Sequence, residues 1–123
     1  MISPTGYAVR QDSAGNGNLG AARGTRIHGG TDYYCVEGQA IVAPFNMTIT
    51  RPSYPNRDQI MQGIAWKFGK STGRLWYFTP HANLIGKRVE QGDIIGVAQS
   101  VSSYYCDDTM NDHIHFQVNT KGA

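Results

Sequence analysis

The sequence predicts an all-β fold, mainly antiparallel and with little helix, in a single domain. Three observations carry this. Apolar and aromatic residues come in short runs, several of them alternating with polar ones. Gly, Pro, Asn and Asp punctuate those runs every few positions. No helical period of any length stands out, and there is no internal repeat. A chain of 123 residues is expected to form one domain, and 40% hydrophobic with 11% aromatic residues supplies one modest core.

Taken in order, residues 1–26 are glycine-rich and polar, as in Asp12-Ser13-Ala14-Gly15-Asn16-Gly17-Asn18, and read as a loop-rich leading segment before a β domain at 27–123. Residues 41–50 read as a strand interrupted at Pro44, because proline has no N–H for a ladder. Residues 51–58, with Pro52, Pro55 and Asn56, read as a loop. Residues 64–68 and 74–78 are apolar and aromatic, and Gly69-Lys70-Ser71-Thr72-Gly73 between them reads as the turn of a hairpin. Residues 93–101 follow the Gln91-Gly92 turn as another strand. Residues 112–118 form the last strand, sending Ile114, Phe116 and Val118 into the core. Trp66 and Trp76 read as core residues.

In that last strand, His113 and His115 are two residues apart and share the face opposite the apolar set. Upstream, His28-Gly29-Gly30-Thr31-Asp32 puts an imidazole and a carboxylate four residues apart, again on one face of an extended chain. Zinc takes imidazole nitrogen and carboxylate oxygen, and a catalytic site has three protein ligands with one position left open. His28, Asp32 and one histidine of the later pair make such a set. The sequence has no H-E-x-x-H, so the glutamate base of helical metalloproteases is not the pattern. Asp107, Asp108 and Asp112 read as turn and loop residues.

These residues resemble the lysostaphin-type zinc endopeptidases, which cut peptide crosslinks in bacterial peptidoglycan. The H-x-x-x-D signature is met by H-G-G-T-D and the H-x-H signature by H-I-H. Between them, Gly38-Gln39-Ala40-Ile41-Val42-Ala43-Pro44 is similar to the family's G-x-x-V-x-A-P strand, and Val89-Glu90-Gln91-Gly92-Asp93-Ile94-Ile95-Gly96 to its V-x-x-G-x-x-I-G turn. The resemblance covers residues 27–118. It implies one Zn2+ per chain held by His28, Asp32 and His115, with His113 as a catalytic histidine beside it. A further histidine belongs to a Y-x-H element; after Tyr77 that place is held by Thr79, and His81 is the nearest candidate. The resemblance also implies a peptidoglycan peptide as substrate and partner.

A binding or signalling module that keeps fold and metal without cleavage is the alternative, kept open by the displaced His81. A cupin-like metal barrel, which also uses H-x-H, ranks below both because H-x-H here ends the domain. A net charge of +2 with 16% charged residues gives no clustered basic face for nucleic acid. No run approaches the roughly 20 apolar residues of a membrane span, so no membrane insertion is expected, and the chain is taken as a monomer. Residues 1–24 lack a basic start followed by an apolar run. An extracellular or periplasmic place of action is then reached through a lysed membrane, on a phage particle, or by a leader removed from this chain. Cys35 and Cys106 are 71 positions apart; a disulfide and two free thiols both fit.

Overall fold

A computed structural model of the chain describes residues 1–9 and 30–119; of residues 10–29 it describes only backbone pairing of four two-residue strands. These are β1 (Gln11–Asp12) with β2 (Gly15–Asn16) and β3 (Ala22–Arg23) with β4 (Arg26–Ile27). The rest of the chain runs β5 (Thr31–Tyr34), β6 (Ala40–Val42), β7 (Met47–Pro52), β8 (Gly63–Phe68), β9 (Ser71–Trp76), β10 (Phe78–Pro80), β11 (Arg88–Val89), β12 (Ile94–Ala98), α1 (Val101–Tyr105) and β13 (His113–Val118). Every described pairing is antiparallel. The all-β expectation is met.

Six strands form one sheet in the order β11-β7-β8-β9-β13-β5, and three form a second in the order β10-β12-β6. Both contribute to one core. Ile49, Ile64, Trp66, Leu75, Ile114 and Phe116 from the first meet Ile41, Phe78, Ile95 and Ala98 from the second. The alternation anticipated in the last strand explains the division: Ile114 and Phe116 face this core, and Phe116 stacks on Trp66 with ring centroids 5.7 Å apart. Val118 departs from the expectation. It is about half exposed, because the core ends one alternation earlier.

Four further differences are local. The strand expected at 41–50 is two, β6 and β7, parted at Pro44 as its missing donor requires. β7 then runs on through Pro52, two residues into the expected loop. The β8–β9 hairpin is tighter than read: Phe68 pairs with Ser71, so only Gly69 and Lys70 turn, with Gly69 at φ 58°. At the other end, 93–101 is strand only through Ala98, and Val101 opens a short helix. Ser100 caps it by accepting from the Ser103 amide. Asp112 supports it, its Oδ1 accepting from the Ser102 amide and hydroxyl at 3.0 and 2.9 Å.

Residues 1–9 are tied down rather than free. The Ile2 amide donates to the Pro44 carbonyl, the Val42 amide to that of Pro4, and the Tyr34 amide to that of Ala8. The 26/27 boundary lies outside the described residues. No helix among them is long and apolar enough to cross a membrane.

Candidate functional site

The site grows from one row of the six-stranded sheet. Antiparallel register sets Asp32 of β5 opposite His115 of β13, His115 opposite Trp76 of β9, and Trp76 opposite Gly63 of β8. Directly opposed residues share a face, so these four lie side by side on the face away from the core. In the neighbouring row Tyr34 pairs with His113. The period-two reading of H-I-H therefore holds, and it brings Asp32 to both histidines.

Two atoms of this cluster nearly touch. His115 Nδ1 lies 2.8 Å from Asp32 Oδ1, and His113 Nε2 lies 3.7 Å from Asp32 Oδ2. All three residues are under 9% exposed, although they sit on the outer face of the sheet. What covers them is aromatic. Trp76 stacks on the His115 ring at 5.2 Å and 21°, and Tyr77 meets the His113 ring edge-on at 5.3 Å.

Trp76 was expected in the core and instead belongs to the site. Its indole N–H donates to Ser53 Oγ at 2.9 Å, and Arg74 Nη1 donates to the same oxygen at 3.0 Å. Ser53 is 1% exposed, so that oxygen is a fixed anchor. Gly63 leaves room for the indole: a Cβ there would stand 2.9 Å from Trp76 Cδ1.

Gly30, within the H-G-G-T-D run, has an equally direct role. A Cβ on it would stand 2.3 Å from the Phe116 carbonyl oxygen and 2.8 and 2.9 Å from Cε1 and Nε2 of His115. Only a residue without a side chain lets β5 approach the histidine this closely.

The remaining sequence candidates fall as follows. His28 lies outside the described residues. His81 follows β10, its amide donating to the Ile95 carbonyl at 2.9 Å, and its ring is exposed. It belongs to the three-stranded sheet rather than the one carrying His113 and His115. Thr79, at the Y-x-H place, is exposed in β10 opposite Val97. Cys35 and Cys106 are free thiols. Burial, reinforced by the Asp112 carboxylate, pushes the Cys35 thiol up to about 12. Asp107 makes a turn, accepting from the Thr109 amide and hydroxyl.

Among the described residues no three His, Cys, Asp or Glu side chains stand ready as a ligand set. Two ligand atoms of a tetrahedral zinc are about 3.3 Å apart, given bonds of 2.0 to 2.1 Å; His115 Nδ1 and Asp32 Oδ1 stand 2.8 Å apart. The donor chemistry nonetheless fits zinc: two imidazoles and a carboxylate converge, all three buried, and His28, four residues before Asp32, would complete the set.

Tyr77 was not singled out as a site residue. It sits at φ 83°, in the left-handed region that a bulky side chain rarely adopts. No feature of a tyrosine announces this. The nearest sequence signal is the proline three residues on, which marks the region as unfit for a long regular strand.

No protein-family model matches the sequence, and no curated protein matches it. Solved structures do. The chain is similar to LytU, with 21% identity over 89% of this chain and 71% of that one and a TM-score of 0.66. It is similar to the catalytic domain of the antimicrobial peptidase lysostaphin from Staphylococcus simulans, with 21% identity over 93% and 82% and a TM-score of 0.61. A zinc-containing peptidase from Vibrio cholerae matches at 18% identity and TM-score 0.63, over 94% of this chain but 35% of that one. The fold of the lysostaphin catalytic domain is therefore the fold of this chain, as the H-x-x-x-D and H-x-H resemblance implied.

Proposed function

We propose that this chain is a zinc-dependent endopeptidase that hydrolyses peptide crosslinks of bacterial peptidoglycan, working outside the cytoplasmic membrane, whether secreted, periplasmic or phage-delivered. One observation carries the reading: Asp32, His113 and His115 converge, buried, in a fold shared with peptidases. The metal ligands would be His28, Asp32 and His115. Zinc, when bound, lowers the pKa of a water toward 7 and polarises a carbonyl oxygen.

The chain's own residues supply the rest. His113 Nδ1 lies 2.9 Å from the Asn111 carbonyl, an acceptor only, so Nδ1 carries a proton. That leaves Nε2, on the Asp32 side, as the basic nitrogen that takes a proton from the attacking water and returns it to the leaving amine. Tyr77 and Trp76 close the histidines off from solvent, which strengthens every charge interaction among them. His81 would be the second histidine of the site if the chain after β10 turns it inward with substrate bound.

A second reading, a zinc-stabilised binding or signalling module without cleavage, draws on one observation: Thr79 holds the Y-x-H place and the His81 ring is exposed. Zinc content measured together with turbidity clearing of purified peptidoglycan from several wall types separates the two. The peptidase reading expects one zinc per chain, loss of zinc in His115→Ala, and loss of clearing with zinc retained in His113→Ala. Zinc bound with no wall cleared supports the module, and no zinc in the parent protein ends both readings.

A further inference from the structure

Charge is divided unevenly along this chain. Residues 46–89 carry seven Lys and Arg and one carboxylate, Asp58, whereas residues 90–119 carry five carboxylates and neither Lys nor Arg. The net charge of +2 averages over that division, which is why it gave no expectation of a clustered basic face. The sheet register gathers four of the seven cations on one surface. Arg51 of β7 lies opposite Ala65 of β8, and Ala65 opposite Arg74 of β9. One row further along, Arg88 of β11 lies opposite Thr48 of β7, and Thr48 opposite Lys67 of β8. Opposed residues share a face, and Arg74 lies two residues from Trp76. Both rows therefore continue the outer face that carries Trp76, His115 and Asp32.

The cations of a row are two strands, about 10 Å, apart, and the rows lie about 7 Å from each other. Arg51, Lys67 and Arg88 are exposed. Arg74 is half-buried, 5.9 Å from the centre of the Trp76 ring and donating to Ser53 Oγ, so it joins the strip to the site. Neither row contains a carboxylate, and none of the four pairs with a described one. Like charges gathered on one sheet face are unfavourable, and an anion lying across them relieves the repulsion.

Lys67 and Arg88 also flank a cleft of about 390 Å³, with Asn46 and Thr48 on its wall. Asn46 Oδ1 accepts from the Gln91 amide at 2.8 Å, so its NH2 is the end left to donate. An ammonium, a guanidinium, a hydroxyl and an amide NH2 thus face the cleft, and no carboxylate lines it. These are the side-chain types that bind phosphate oxygens. A phosphodiester has more oxygens to offer such a wall than a carboxylate has, and it stays charged at every pH at which the protein is folded.

We propose that this strip binds a flexible phosphodiester polymer of the bacterial wall, holding the chain so that the neighbouring site stands over the wall's peptides. The wall as source rests on the peptidoglycan reading above; the phosphodiester chemistry does not. The test is co-sedimentation of the full chain with purified walls that retain their phosphodiester polymer and with the same walls stripped of it by cold hydrofluoric acid. Lys67→Gln/Arg88→Gln removes two charges from the strip. Arg57→Gln/Lys87→Gln removes two exposed charges outside its rows. Circular dichroism melts check that both variants fold.

With a salt slope of about 0.7 per phosphate contact, four contacts make the parent's affinity fall about 50-fold between about 50 and about 200 mM salt, and two contacts make it fall about sevenfold. The strip variant should show the shallower fall and weaker binding at the lower salt, while the Arg57/Lys87 variant follows the parent. Equal binding of strip variant and parent overturns the proposal, as does equal binding of the parent to intact and stripped walls. Release from intact walls by single-stranded DNA at lower concentration than by soluble polyphosphate gives the surface to nucleic acid and overturns the wall assignment. Clearing of the stripped walls tests the peptidase reading separately, so the two can fail independently.

Discussion

Gly30→Ala is the sharpest perturbation of this site, because the added methyl has nowhere to go. Its Cβ would stand 2.3 Å from a backbone oxygen, that of Phe116, and under 3 Å from two atoms of the His115 ring. A backbone oxygen in a ladder cannot swing aside, so either β5 lifts from β13 or the ring turns out of its stack on Trp76. Overpacking of this kind costs about 1–3 kcal/mol. With about 2.1 cal/mol/K of unfolding entropy per residue, a 123-residue chain loses about 4–12 °C in Tm for that range. On the proposed zinc reading, zinc affinity should fall by at least about tenfold, since His115, a proposed ligand, is displaced. Gly92→Ala is the companion: at φ 91° with nothing within 4 Å of its Cβ, it costs about 1–2 kcal/mol in backbone strain and should leave zinc binding alone. Thermal melts and chelator competition on both variants distinguish lost stability from lost geometry. A Gly30→Ala protein that melts with the parent and binds zinc as tightly refutes the reasoning.

Three other perturbations follow from the same contacts. Tyr77→Gly should be more stable than Tyr77→Ala by about 1 kcal/mol, because neither has a ring and only glycine accepts φ 83° freely; urea midpoints in the opposite order would remove strain from the account. Ser53→Ala leaves the Arg74 and Trp76 donors without their shared acceptor and should cost about 1–3 kcal/mol, with a urea midpoint unchanged from the parent counting against the anchor. Cys35, with its thiol held up to about 12, is thiolate at only about 1 part in 10,000 at pH 8, against roughly a quarter for a thiol at the usual 8.5. Iodoacetamide labelling followed by mass spectrometry should find Cys35 roughly a thousandfold slower in the folded chain than in urea. The folded state keeps this proton longer than the unfolded one, so stability declines as pH rises through about 8.5 and on toward 12; equal labelling rates would refute both statements.

Much of the candidate site was legible because strand alternation is a strict rule. His113 and His115 had to share a face with each other and not with Ile114, and the register then delivered Asp32 to them. The hairpin was legible from its turn residues, although only Gly69 and Lys70 turn and Gly73 lies within β9. Other features escaped because they arise from tertiary packing. Trp76 is as apolar as Trp66, and nothing in residue type separates one that stacks on Phe116 from one that stacks on His115. Helix α1 is too short to show a period; it exists because Ser100 caps it and Asp112, ten residues on, supplies an acceptor to Ser102. The pairing of residues 1–9 with β5 and β6 leaves no mark in the sequence, because single backbone hydrogen bonds ask for no particular side chain.

The break at Tyr77 explains how a single strand can serve both histidines. In a regular strand residues 76 and 77 face opposite sides, so only one could cover the site while the other entered the core. The left-handed turn at Tyr77 removes that restriction. Trp76 closes on His115, Tyr77 closes on His113, and Phe78, fully buried, starts the three-stranded sheet in the core. Strain of about 1–3 kcal/mol at such a residue persists only where the surroundings over-determine it, and here they do. The amides of Tyr77 and Phe78 both donate to the Gln62 carbonyl, the Gln99 amide donates to that of Tyr77, and the Gln62 amide donates to the Gln99 side chain. The kink is therefore what lets one chain segment leave the six-stranded sheet, shield two histidines and still complete the core.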